Sequence, residues 1–100
     1  MNEQNNTKNG EELYSRQVVV ANPHGLHARP AGKLAQEALG FKSSISIVLD
    51  GQEVDAKSIL DILTLAAGEG SILELRAAGE DAEQALNVLE KLFASRFEEE

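Results

Sequence analysis

His27 and Arg29, two residues apart within Gly25-Leu26-His27-Ala28-Arg29-Pro30-Ala31, are the side chains of this sequence best suited to chemistry. A neutral imidazole nitrogen near pH 7 is a competent nucleophile, and a covalent adduct on it divides one transfer into two. Beside the start of a helix, such an adduct would meet unpaired backbone N–H groups and the positive end of the helix dipole, an arrangement that favours an anion such as a phosphoryl group. Arg29 would add charge-assisted hydrogen bonds to the same oxygens. The spacing alone leaves open a helix-capping or merely exposed histidine. His24 makes an H-x-x-H pair with His27, but two histidines without a third ligand form a poor zinc site, so no metal is assigned. His24 is read as a loop residue that at most donates to the same anion or tunes His27 by its charge.

The elements that must position these residues follow from periodicity. Arg16 to Ala21 is a β-branched run of strand length, ended by Asn22 and Pro23. Apolar residues then recur at Ala28, Ala31, Leu34, Ala35, Ala38 and Leu39, the spacing of one helix face, with Pro30 tolerated in the first turn and Gly40 as the stop. The helix therefore starts at or just after His27. From Ser44 the period becomes two, with Ile45, Ile47 and Leu49 on one side, and Asp50-Gly51 predicts a tight hairpin returning through Gln52 to Asp55. Ser58 with Asp61 fits an N-cap before a short helix from Ile59 to about Ala66, closed by Gly68 and Gly70. Ile72 to Ala77 alternates as a fourth strand. Asp81 with Gln84 reads as a capping box before a last helix whose stripe is Ala82, Ala85, Leu86, Leu89, Leu92 and Phe93. The order β-α-β-β-α-β-α, with mostly one-sided strands, predicts an α+β fold: an open-faced sandwich with a four-stranded antiparallel sheet and three helices on one face.

A chain of 100 residues, 42% hydrophobic, suits a single domain with a sufficient core. Residues 1–15 are expected to be a flexible polar extension, 16–97 the folded domain and 98–100 a solvated acidic tail. The absence of cysteine excludes a thiol nucleophile and a disulfide framework, and makes the cytoplasm the expected compartment. No segment has the ~20 apolar residues of a membrane span, so no membrane insertion is expected. A net charge of −8 argues against a nucleic-acid partner, which needs clustered Lys and Arg. Lys33 and Lys42 are expected in solvent, and Arg76 on the open face of the sheet.

The stretch Gly25 to Ala31 resembles the active-site motif of the HPr family, the histidine-containing phosphocarriers of the bacterial phosphoenolpyruvate:sugar phosphotransferase system. Ala56-Lys57-Ser58-Ile59 resembles the family's second signature, at its regulatory serine, and Gly79-Glu80-Asp81 resembles its last turn. The likeness runs from about Arg16 to Arg96, and the family's element order matches the one above. It implies that His27 accepts a phosphoryl group on Nδ1 from Enzyme I and passes it to a histidine of a IIA protein or domain, with Arg29 stabilising the transferred group. It implies a stoichiometric carrier rather than an enzyme, with no cofactor of its own, and docking to such partners is compatible with the expected monomer. Ser58 would be a possible target of an HPr kinase/phosphorylase, adding charge at a helix start beside the docking face; an N-cap alone also accounts for it.

The helix after Ser58 has more apolar residues than one buried stripe requires, so part of it should stay exposed for a partner. Leu26, Ala28, Ile59, Leu60 and Leu63 are the candidate docking residues. Asp61 departs from the family's usual non-acidic residue there and should weaken attraction to acidic partners. Two other readings keep part of this pattern: a nitrogen-related or regulatory paralogue with the same phosphohistidine chemistry, and a Ser58-controlled binding module acting on a transcription regulator.

Overall fold

The computed structural model describes residues 7–8 and 11–99. Its elements in chain order are β1 (Thr7–Lys8), β2 (Glu11–Val19), α1 (Ala28–Leu39), β3 (Ser44–Leu49), β4 (Gln52–Asp55), α2 (Ile59–Thr64), β5 (Ile72–Ala78) and α3 (Ala82–Ala94), closed by a short 3-10 turn at Arg96–Glu98. All neighbouring strands pair antiparallel in the order β1-β2-β5-β3-β4. Four of them form the expected open sheet, and the two-residue β1 extends its β2 edge. The expected flexible extension needs correction within its described part. The strand expected from Arg16 is β2 and begins at Glu11, because Leu13, Tyr14 and Ser15 pair with Ala78, Ala77 and Arg76 of β5. The remaining part of that expectation, residues 1–6 and 9–10, lies outside the described residues.

Alternation decides which face of the sheet is dry. Val18, Ile45, Ile47, Leu73, Leu75 and Ala77 point into the core, where they meet Ala31, Leu34, Ala35 and Ala38 of α1, Ile62 of α2 and Ala85, Leu86, Leu89 and Phe93 of α3. The opposite face is polar: Arg76 lies 3.2 Å from Glu74 of its own strand and 3.3 Å from Glu53 of β4. The β3–β4 hairpin turns on Asp50 (φ 50°) and Gly51 (φ 83°), the two successive positive φ angles that an Asp-Gly turn supplies. α2 ends at Thr64, two residues earlier than the spacing suggests, because Ala66 takes a left-handed conformation (φ 51°).

The expected capping box at the start of α3 is not made. Asp81 stands at the N-cap position, but its side chain makes no bond to its own helix. Instead its carboxylate accepts from the N–H groups of Lys42 and Ser43, 2.9 Å each, and from the buried Ser43 hydroxyl, tying α3 to the segment before β3. These bonds, led by the Ser43 hydroxyl and the Lys42 N–H, hold the Asp81 carboxyl at about 2, below its ordinary 3.8. A carboxyl depressed on folding contributes stability that is present above its unfolded value and lost as pH falls through the folded one. The urea midpoint of the native chain should therefore fall between about pH 4 and about pH 2 more steeply than that of Asp81→Asn. Parallel midpoint curves for the two chains would show that the Asp81 bonds contribute nothing.

Candidate functional site

The chain reaches His27 through a turn only glycine can make. Gly25 N–H donates to Asn22 O (3.0 Å), Gly25 has φ +70°, and a Cβ there would strike Ala67 O and come within 2.9 Å of Gly68 Cα. The next N–H, of Leu26, donates to Ala67 O at 2.9 Å. This bond pins the approach to the loop between α2 and β5. It also corrects one docking expectation: Leu26 is 4% exposed and belongs to the core, so the surface is built without it.

His27 is the N-cap of α1. Its backbone is extended (φ −77°, ψ −170°), and its carbonyl accepts the Ala31 N–H at 3.0 Å, but its side chain makes no capping bond. The imidazole is thus not committed to the backbone, and 43% of the side chain is exposed. Ala28 and Arg29 are the first two helical residues, and among the described residues their N–H groups have no acceptor. The third is the buried Pro30, which has no N–H to satisfy. The first turn of α1 also holds no acidic residue, so nothing on the helix itself opposes an anion there. Arg29 is exposed on the same turn. His24 packs edge-on to His27, with ring centroids 6.1 Å apart and planes at 85°. Among the described residues no group of three His, Asp or Glu side chains is placed to hold a metal.

Ser58 caps α2 as its spacing suggested, accepting the Asp61 N–H on Oγ at 3.1 Å. Asp61 does not reach back to Ser58; its carboxylate accepts the Asp55 N–H at 3.3 Å. Of the surplus apolar residues on α2, Ile62 is fully buried, whereas Ile59, Leu60 and Leu63 are 44%, 75% and 36% exposed. Ala28 is exposed across from them, and a shallow groove between α1 and α2 is lined by Ala28, Gly32, Leu39, Ser58, Ile59 and Leu60. The structure therefore brings His27, Arg29, Ala28 and the α2 surface to one side of the molecule.

The C-terminal turn is the part of the site that the sequence reading missed. Arg96, Phe97 and Glu98 all have positive φ (56°, 57° and 62°), which curls the chain back after α3. Phe97 is fully buried against Phe93, ring centroids 4.8 Å apart. Lys33, expected in solvent, donates from Nζ to Phe97 O at 2.7 Å. The expected solvated tail is corrected at Glu99, whose side chain is 17% exposed. Its Oε1 accepts from Asn22 Nδ2 at 2.9 Å and its Oε2 lies 3.6 Å from His27 Nε2. The Asn22 bond, with the His27 ring and the Arg29 charge adding to it against burial, holds the Glu99 carboxyl below the usual carboxylate range. The one available signal was Phe97 itself, an aromatic one helical turn after Phe93 within an otherwise acidic tail.

Comparison with known proteins agrees with this geometry. Residues 14–95 match the family model described as "PTS HPr component phosphorylation site". The chain is 39% identical over 88 residues to the phosphocarrier protein HPr of Xylella fastidiosa strain 9a5c, covering 88% of this chain and 99% of that protein. It is 48% identical over 83 residues to the phosphocarrier protein HPr of Treponema pallidum, covering 83% and 94%. Among solved structures, an HPr from Thermoanaerobacter tengcongensis superposes with a TM-score of 0.84 at 39% identity, covering 87% of this chain and 98% of that one.

Because Gly25 carries both the left-handed turn and the close approach to Ala67, Gly25→Ala should destabilise the fold by about 2 kcal/mol or more in urea denaturation. Unchanged stability would mean that the loop relaxes freely and does not hold His27.

Proposed function

The chain belongs to the HPr family of phosphocarrier proteins of the phosphotransferase system, and from that membership we propose that it carries a phosphoryl group on His27 between Enzyme I and a IIA protein or domain. The observation that carries this reading is the position of His27. An N-cap residue whose imidazole makes no capping bond presents a free nucleophile where the N–H groups of Ala28 and Arg29 and the positive end of α1 accept an anion.

Transfer in each direction exchanges one phosphorus–nitrogen bond for another. The lone pair of one imidazole nitrogen attacks phosphorus as the bond to the donor histidine breaks, so the carrier needs no cofactor and no metal of its own. The family's atom is Nδ1. Arg29 stabilises the transferred oxygens, and Ala28, Ile59, Leu60 and Leu63 provide the apolar surface on which both partners dock in turn. The chain is spent and regenerated once per transfer, which makes it a carrier rather than a catalyst, working in the cytoplasm. Among the described residues no helix is long and apolar enough to cross a membrane.

Incubation with Enzyme I, phosphoenolpyruvate and magnesium should give an acid-labile phosphate adduct on the native chain and on His24→Ala, and none on His27→Ala. A native chain left unmodified by active Enzyme I would overturn the proposal, as would an adduct that survives in His27→Ala.

A further inference from the structure

The groove between α1 and α2 contains a residue that the fold itself does not require. Gly32 is the fifth of the twelve residues of α1, and it is not among the glycines with positive φ. A Cβ there would meet only Ile59 Cδ1, at 4.0 Å, an ordinary contact. Neither conformation nor packing calls for glycine, and alanine would favour the helix. Gly25 is the contrary case, where a Cβ would strike the backbone of Ala67. At Gly32 the missing Cβ leaves depth instead. The residue lies half-buried one turn beyond Ala28, in a groove walled by Ile59 and Leu60, and Leu39 is 63% exposed at the other end of α1.

The polar groups along this groove are engaged within the chain. Lys33 Nζ donates to Phe97 O at 2.7 Å and Lys57 Nζ to Phe41 O at 2.8 Å, so each lysine turns its head to a backbone carbonyl and leaves its apolar stem to line the groove. Ser58 Oγ accepts the Asp61 N–H, and the Asp61 carboxylate accepts the Asp55 N–H. Arg29 stands exposed at the His27 end. An acidic side chain seated in the groove would have to draw the lysines from their carbonyls, and a basic one would meet Arg29 at the entrance. An uncharged apolar side chain incurs neither cost.

Resting on the phosphocarrier reading, we infer that Gly32 is the floor of a socket that receives one bulky, uncharged apolar side chain, aromatic or long aliphatic, from the docking surface of Enzyme I. The groove opens at Ala28 and Arg29, the two residues that follow His27, so a protein whose phosphohistidine reaches His27 covers it. Glycine at this position gives up helix stability in α1 and gains close approach of the partner. The contact it allows is made by packing rather than by ion pairs, so docking here depends little on salt.

The test compares the full-length native chain with Gly32→Ala and Gly32→Leu. Thermal melting reads the helix, and Gly32→Ala should melt about 4 °C above the native chain. Isothermal titration with unphosphorylated Enzyme I reads docking without any transfer. Its Kd should rise about fivefold in Gly32→Ala and about fiftyfold in Gly32→Leu, as a methyl and then a whole side chain fills the socket. In transfer from phospho-Enzyme I, KM for the chain should rise in step while kcat stays unchanged, a split that general damage to the fold would not give. The native Kd should change less than about twofold between about 50 and about 300 mM salt. Native affinity in folded Gly32→Leu, a lower melting temperature in Gly32→Ala, or a native Kd that rises steeply with salt would each overturn the inference. If the native chain binds Enzyme I but accepts no phosphate, the carrier reading fails instead, and the three Kd values still decide the socket. No binding of Enzyme I by the native chain would overturn the socket and the carrier reading together.

Discussion

The site depends on how the chain passes from β2 into α1 within a few residues. Gly25 turns left-handed against the backbone of Ala67 and Gly68, Leu26 donates to Ala67 O and drops its side chain into the core, and His27 follows at once as the helix N-cap. No slack separates the core from the reactive ring. The Leu26 bond also decides what stands beside it. Ala67 follows α2, so the approach to His27 is tied to the segment carrying Ile59, Leu60 and Leu63. A nucleophile and a docking surface distant in sequence become neighbours through one main-chain hydrogen bond and one residue without a Cβ.

The electrostatics are local rather than global. The chain carries a net charge of −8, yet the start of α1 combines two N–H groups that have no acceptor among the described residues, an arginine and the positive end of a twelve-residue helix. Such a patch favours an anion locally without making the whole surface attractive to polyanions. Glu99 lies on the Nε2 side of the ring, and its carboxylate also accepts from Asn22. The imidazole thus stands between a helix start that favours an anion and a carboxylate that faces Nε2.

Much of this was legible in the sequence because it is encoded locally. The period-two runs at Ser44 and Ile72, the Asp-Gly turn, the Ser58 cap and the helix start at His27 each depend on residues a few positions apart, and each stands where its pattern put it. The less legible parts depend on contacts across the chain. Asp81 is spaced for a capping box, but Lys42 and Ser43, about forty residues away, offer its carboxylate three donors and prevail. Leu26 reads as surface because it flanks the reactive histidine, and only the fold shows that it fills the core. The acidic tail reads as solvent because nothing in Phe97-Glu98-Glu99 foretells that Asn22, 77 positions earlier than Glu99, will hold its carboxylate. The extended reach of β2 likewise rests on its pairing with β5 and not on its own polar composition.

The proposed phosphoryl acceptor is one nitrogen of His27, and NMR of the phosphorylated, nitrogen-15-labelled chain reads that atom directly. A phosphorus–nitrogen coupling should appear at Nδ1 of His27, with Nε2 still bearing its proton. Coupling at Nε2 of His27, at either nitrogen of His24, or at no imidazole would contradict it.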